Sequence, residues 1–299
     1  MSLLLWILLA SNAAWGAACC GSNGLFPSLI AGQERTQVSL TATTGQTVAE
    51  ADPQGAIQNR AADDIETRHG LRLDAATLLS DRWQLGVNVP LVARYRDRTG
   101  VAAQSFGVGD VGASIAWEML PEWTYSRWRP KGLVFGGVSL ATGQGPFASE
   151  ALYKIDATGR GYSTAFVGFL IHKGWRVLDM ALLSEAHLPL GGPIDLTDGE
   201  VQLHPGWGAT ASLALGVNWG NFRLGTAVTW NREAGRRTTG LIESSGAATF
   251  AWPVTLQASY LLSEAWSLSA LYSDGTLLGG VGQPLNRTLA LVLQTRWQR

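Results

Sequence analysis

The chain has 299 residues, 46% of them hydrophobic and 15% charged, with 36 Gly, 13 Trp and a formal net charge of −1. That content excludes a disordered chain, and the charge balance leaves no electrostatic footprint for nucleic acid. Mean hydropathy is only +0.08, and no run of ~20 apolar residues that would make a membrane helix follows the N-terminus, so the apolar residues must recur at some short period.

The first element is an apolar core at residues 2–10 (SLLLWILLA), followed by mostly small residues from Ser11 to Ala18. Residues 1–18 read as a secretory signal peptide cleaved near Gly16–Ala18, although the start carries no Lys or Arg. A buried first helix is the alternative. Cys19 and Cys20 are the only cysteines and follow directly. Gly-Ala-Ala-Cys partly resembles a lipoprotein signal, which makes Cys19 a lipidation candidate, with Gly16 where Leu is usual. A vicinal disulfide or two free thiols are the other readings, and metal binding needs more ligands than this pair offers. Residues 19–35 form a separate N-terminal segment.

From residue 36 onward the chain alternates. Trp83, Leu85, Val87, Val89, Leu91, Ala93 and Tyr95 share one face of a strand, with Gln84, Gly86, Asn88, Pro90, Val92 and Arg94 on the other. Trp207 to Trp219 repeats the pattern. A period of two over this length is a strand signal. It predicts strands near 36–45, 67–79, 83–95, 107–119, 131–142, 160–171, 175–188, 204–219, 222–232, 247–262, 265–273 and 287–297. Alternation is poor in 131–142 and 160–171, whose faces stay unassigned. Pro90, Pro205 and Pro253 fall inside these strands, and each removes a ladder donor.

Connections alternate in length as well. Short ones fall at Ser80-Asp81-Arg82, His172-Lys173-Gly174, Gly220-Asn221 and Ser263-Glu264. Longer polar loops fall near 46–66, 96–106, 143–159, 189–203, 233–246 and 274–286, and the 120–130 connection is longer than its short-turn class predicts. Trp83, Trp175, Trp219, Phe222, Trp266 and Trp297 flank the short-turn side, as an interfacial girdle does. The fold class that fits is all-β, an antiparallel transmembrane β-barrel of about 12 strands over residues 36–299. A soluble β-sandwich would leave such long apolar faces unexplained. Barrel closure follows because lipid tolerates no open sheet edge.

Charge then belongs on the inward faces, since Arg or Lys facing lipid at the bilayer midplane costs ~2–4 kcal/mol. The lumen-lining candidates are Arg72, Asp74, Arg94, Arg96, Asp110, Glu118, Asp179, Glu185, His187 and Arg223. They read either as a charged pore lining that selects solutes or as ion pairs that plug and stiffen the barrel. Gly107-Val-Gly-Asp110-Val-Gly112 matches a dinucleotide fingerprint by letter, but strand follows it where the pyrophosphate needs a helix N-terminus. The four His residues form no metal spacing, and no catalytic residue, metal or cofactor is expected. His187 and Glu185, on one strand face, are the best acid–base candidates for a membrane-embedded hydrolase, the least favoured reading.

The segment Gly107-Val-Gly-Asp110-Val, preceded by Ser80-Asp81-Arg82-Trp83-Gln84-Leu85, resembles a family of bacterial outer-membrane barrels associated with meta-pathway phenol degradation. Leu140-Ala-Thr-Gly143 stands where that family tends to have Leu-Pro-Thr-Gly. The likeness covers roughly residues 66–145. It implies an outer-membrane barrel linked to uptake of small compounds, aromatic ones among them. The combined expectation is a channel or transporter in the outer membrane of a Gram-negative bacterium. Its partners would be outer-membrane lipid and a small-molecule solute, with no nucleic acid. A closed-lumen structural or surface-binding barrel, with function in loops 46–66 and 233–246, is the alternative.

Overall fold

A strand that faces lipid on one side and a lumen on the other alternates in character, and twelve stretches of the chain form such strands, ten of them with clear alternation. The computed structural model describes residues 28–32, 34–122, 124–191, 194–196, 201–240 and 243–297. The expected signal peptide (residues 1–18), Cys19 and Cys20 lie outside the described residues. The barrel strands are β1 (Thr36–Ala51), β2 (Asp64–Leu78), β3 (Trp83–Arg98), β4 (Val111–Leu120), β5 (Lys131–Leu140) and β6 (Thr164–Gly174). The circuit continues through β7 (Leu178–Pro189), β8 (Gly208–Trp219), β9 (Phe222–Glu233), β10 (Val254–Leu261), β11 (Trp266–Asp274) and β12 (Gln283–Trp297). Each pairs antiparallel with its neighbour in sequence. Pairing of β12 with β1, from Thr36↔Trp297 to Ala51↔Gln283, closes an all-β barrel of 12 strands.

The two faces separate residue by residue. On β12, Leu291 is 51% exposed while its neighbour Ala290 is 4% exposed. Leu73, Leu85, Val87, Leu213, Leu215 and Leu268 are exposed in the same way on their strands. These side chains form a continuous apolar outer surface, which water would not stabilise and lipid does. Twelve residue steps from Trp83 to Tyr95, at ~3.3 Å each and a tilt of ~40°, rise ~30 Å, the thickness of a bilayer's hydrocarbon core.

The 79–82, 175–177, 220–221 and 262–265 turns, the 121–130 connection and the strand ends Thr36 and Trp297 gather at one rim. Trp83, Trp219, Phe222, Trp266 and Trp297 point outward there. Trp83 packs on Trp117 with centroids 6.4 Å apart, and Phe222 on Tyr260 at 4.6 Å. Trp175 departs from this ring: half-buried, it donates its indole N–H to Arg127 O at 3.1 Å. The long 121–130 connection accounts for this by folding back under the barrel, where Lys173 pairs with Glu122 and lies over the Tyr125 ring. At the opposite rim, Ile194–Leu196, Val201–His204, Arg237–Gly240 and Ser244–Ser245 form a separate four-stranded sheet that ties the β7–β8 and β9–β10 loops together.

The prolines sit where pairing breaks. The predicted strand at 247–262 divides into Thr249–Ala251 and β10, with Pro253 in the gap. Its carbonyl still accepts from Thr229 N at 3.0 Å, and it has no N–H to offer. Pro90 faces a similar gap. β3 pairs with Val101–Val108 along its outer half and with β4 along its inner half. The partner strand is interrupted at Gly109–Asp110, opposite the proline. Pro205 lies between Val201–His204 and β8, outside both.

Candidate functional site

The inward faces of β2, β3, β7 and β9 carry most of the charge, and register decides which charges meet. Arg72 and Asp74, two apart on one face of β2, form an ion pair of 2.6 Å. At the upper rim, Arg96 pairs with Asp64 at 3.1 Å and Arg94 with Glu66 at 3.3 Å. Near the lower rim Glu118 lies 3.7 Å from Lys131 Nζ. Asp179 on β7 and Arg223 on β9 meet across β8: Arg223 Nε donates to Oδ2 at 2.9 Å and Nη2 to Oδ1 at 2.6 Å. Between them stands Gly216, where an added Cβ would come within 2.5 Å of the guanidinium and 2.7 Å of the carboxylate. His187 crosses Gly208 in the same manner and reaches Glu233 on β9 at 3.2 Å.

One part of the inner wall is apolar. Leu133 of β5, Leu170 of β6, Ala181 and Leu183 of β7 and Ala214 of β8 form a buried cluster. This patch explains the weak alternation of β5 and β6, which are apolar on both faces. Its cover is the chain itself: residues 28–32 enter the lumen from the lower rim, and Leu29 and Ala31 pack on the cluster. Ile30 is 1% exposed. Its N–H donates to Gln84 Oε1 at 2.6 Å, and Gln84 Nε2 returns a bond to Ile30 O at 3.3 Å. Lys131 Nζ donates to Gly32 O at 2.9 Å. Close approach needs Gly86, where a Cβ would stand 2.5 Å from Ser28 O.

The upper half of the lumen is narrowed by the 141–163 loop. Asp110 holds it at two points, accepting from Gly143 N at 3.1 Å and Arg160 N at 2.7 Å. Arg94 adds bonds to the carbonyls of Lys154 and Ala157 at 3.1 and 3.0 Å. Thr158 Oγ1 donates to Val108 O at 2.7 Å. The Gly-rich segment around Asp110 is therefore a loop anchor at a strand break.

Between loop and docked segment lies a cavity of about 40 Å³, room for roughly three waters. Asn88, Ser139, Thr164, Phe166, Glu185 and His187 line it, and Asp110 and Arg160 stand at its upper edge. Glu185 is 3% exposed, and its Oε2 has no hydrogen-bond partner among the described residues, nor has His187 Nδ1. The nearer Glu185 oxygen is 3.9 Å from His187 Nδ1, beyond a hydrogen bond.

The ten sequence candidates therefore divide. Arg72, Asp74, Arg94, Arg96, Glu118, Asp179 and Arg223 are joined in pairs along the wall. Asp110 anchors the loop, while Glu185 and His187 come together at the cavity. Sequence reading missed Glu233, which it assigned to a loop, and Arg160, whose guanidinium reaches Glu233 at 3.5 Å. It also missed the docking of residues 28–32. Gln84, a polar inward residue whose register partners Leu78 and Ala116 are apolar, was the available signal.

No family model matches the chain, and no curated protein matches it by sequence. Among solved structures the chain is similar to an outer membrane channel from Pseudomonas putida F1, at 13% identity over 91% of this chain and 98% of that one, with a TM-score of 0.70. The NanC porin matches at 6% identity over 87% of this chain and 99% of its own, with a TM-score of 0.49. The transport unit of the autotransporter AIDA-I from Escherichia coli matches at 9% identity, covering 89% and 90% of the two chains, with a TM-score of 0.46. The likeness to the Pseudomonas putida F1 channel, at 13% identity, speaks to the fold. Fold, outward apolar surface and aromatic rim together make the chain a β-barrel of the Gram-negative outer membrane.

Proposed function

We propose that the barrel is a channel for small solutes, held here in a closed state by residues 28–32 below and the 141–163 loop above. The observation that carries this reading is the polar cavity on the inner wall beneath the loop, with the docked segment lower in the lumen, each obstruction attached by a few bonds rather than built into the wall. Displacing the docked segment would join the cavity to the lower rim without breaking any barrel strand pair. The finer reading, that solutes carry an apolar or aromatic portion, is supported by the inner-wall patch of Leu133, Leu170 and Leu183 and by the resemblance of residues 66–145. Residues 1–18 would direct export.

The second reading, a closed structural or surface-binding barrel, is favoured by the cavity's volume, which admits water and little else. Liposome swelling with solutes of graded size separates the two. Flux that falls with solute size supports the channel. Proteoliposomes that hold folded barrel and admit no solute, even with the docked segment displaced, support the closed barrel.

A further inference from the structure

We infer that the cavity between loop and docked segment is a binding site for a small primary ammonium ion, with Glu185 as its anchoring carboxylate. The inference rests on the channel reading for its route of access, and on the cavity itself for its chemistry. Glu185 projects from the middle of β7, flanked in register by Gly168 on β6 and Thr210 on β8. Neither supplies an opposite charge. Its Oε2 is buried and unpartnered, and a buried carboxylate is expensive unless paired or hydrogen-bonded.

The other charges around the cavity are already committed. Asp110 accepts two backbone N–H groups, and Glu233 takes both His187 and Arg160. Arg160 and Arg72 act on Glu185 through space, but they are paired with Glu233 and Asp74. The unmet need is therefore a cation that also donates hydrogen bonds.

A primary ammonium meets each requirement. One N–H would go to Glu185 Oε2, and others to the hydroxyls of Ser139 or Thr164 or to the Asn88 carbonyl oxygen. Phe166, beside His187 in register, lines the same cavity and brings an aromatic ring near the charge. An anion would meet Glu185 directly. A quaternary ammonium has the charge but no N–H for the open oxygen, and it is larger than the ~3-water space.

The test is calorimetric titration of methylammonium chloride into the full-length folded barrel in detergent, with tetramethylammonium chloride as a second probe at matched ionic strength. Saturable methylammonium binding is expected, at least tenfold weaker for tetramethylammonium and at least tenfold weaker in Glu185→Gln. Asp97→Asn, at the upper rim, should leave it unchanged. Heat-modifiable gel migration verifies that each variant is folded, and the double variant Asn88→Leu, Thr164→Val, which removes two of the proposed acceptors, provides a second disruption with a several-fold loss of binding expected should Glu185→Gln fail to fold. Absence of saturable binding to the wild type, or equal binding by Glu185→Gln, overturns the site. Flux measured on the same preparations separates this from the channel reading: binding without flux keeps the site and removes the channel, and flux without binding does the reverse.

Discussion

Asp179 and Arg223 sit on strands that are not neighbours, and they form a two-bond ion pair because the strand between them presents Gly216. Nη2 and Nε reach the two carboxylate oxygens at 2.6 and 2.9 Å, with side chains 3% and 7% exposed for Arg223 and Asp179. Asn218 Nδ2 donates to the same carboxylate at 2.9 Å, and Arg223 Nη1 donates to Gln257 Oε1 at 2.9 Å. The bridge joins β7 to β10 along the inner wall. A buried pair of this kind contributes little relative to apolar replacements, but breaking it strands a charge. Arg223→Ala should therefore destabilise the barrel by about 3–5 kcal/mol in urea unfolding. Asp179→Leu combined with Arg223→Met should recover most of that loss. A double variant as unstable as the single one would contradict this account of the bridge.

The docked segment makes a steric prediction at Gly86. A methyl group there would fall 2.5 Å from Ser28 O, so Gly86→Ala should expel residues 28–32 while sparing the strand pairs of β3. The expected result is unchanged heat-modifiable migration together with new protease sensitivity between Ser28 and Arg35. A variant as protected as the wild type would mean that the segment accommodates the methyl group in place.

Asp110 should behave as a latch. Losing a charged acceptor for two backbone N–H groups costs about 1.5–3 kcal/mol per bond at the upper end of measured cases. Asp110→Ala is expected to free the 141–163 loop and to speed its cleavage by added protease on intact cells, with the barrel otherwise stable. Unchanged cleavage would show that the remaining bonds, through Arg94, Ser105, Thr142 and Thr158, suffice to hold the loop.

Face assignment is tested on β12. Leu291 faces outward near mid-strand, so Leu291→Arg should cost about 2–4 kcal/mol, while Trp297→Arg near the rim should cost about 0–1 kcal/mol. Unfolding titrations in lipid vesicles read both. Equal penalties would place the lipid boundary elsewhere.

The twelve strands were legible because lipid on one face and lumen on the other enforce a two-residue period, and that period survives in the letters. The strand breaks at Pro90 and Pro253 were half-legible: the missing donor is a local property, whereas where pairing resumes is not. The candidate site was legible only as a set of inward charges. Whether Asp179 meets Arg223, or His187 meets Glu233, depends on the register of three strands and on a glycine in the middle one. Residues 28–32 carry no period at all, and their docking depends on an apolar patch assembled from four strands. The same patch blurred the alternation of β5 and β6. Arg160 opens the predicted 160–171 strand, whose blurred alternation left its faces unassigned, and the structure places it in the loop before β6.

Single-channel recording in planar bilayers tests the central claim most directly, comparing the wild type with Ile30→Asp. Ile30 is 1% exposed, and a carboxylate in its place cannot stay buried unpaired, so the docked segment should leave the lumen. Small or rare openings are expected for the wild type, and a several-fold larger, longer-lived conductance for Ile30→Asp at equal heat-modifiable migration. Silence from both proteins, with the segment demonstrably protease-accessible in Ile30→Asp, would contradict a gated channel and leave a closed barrel.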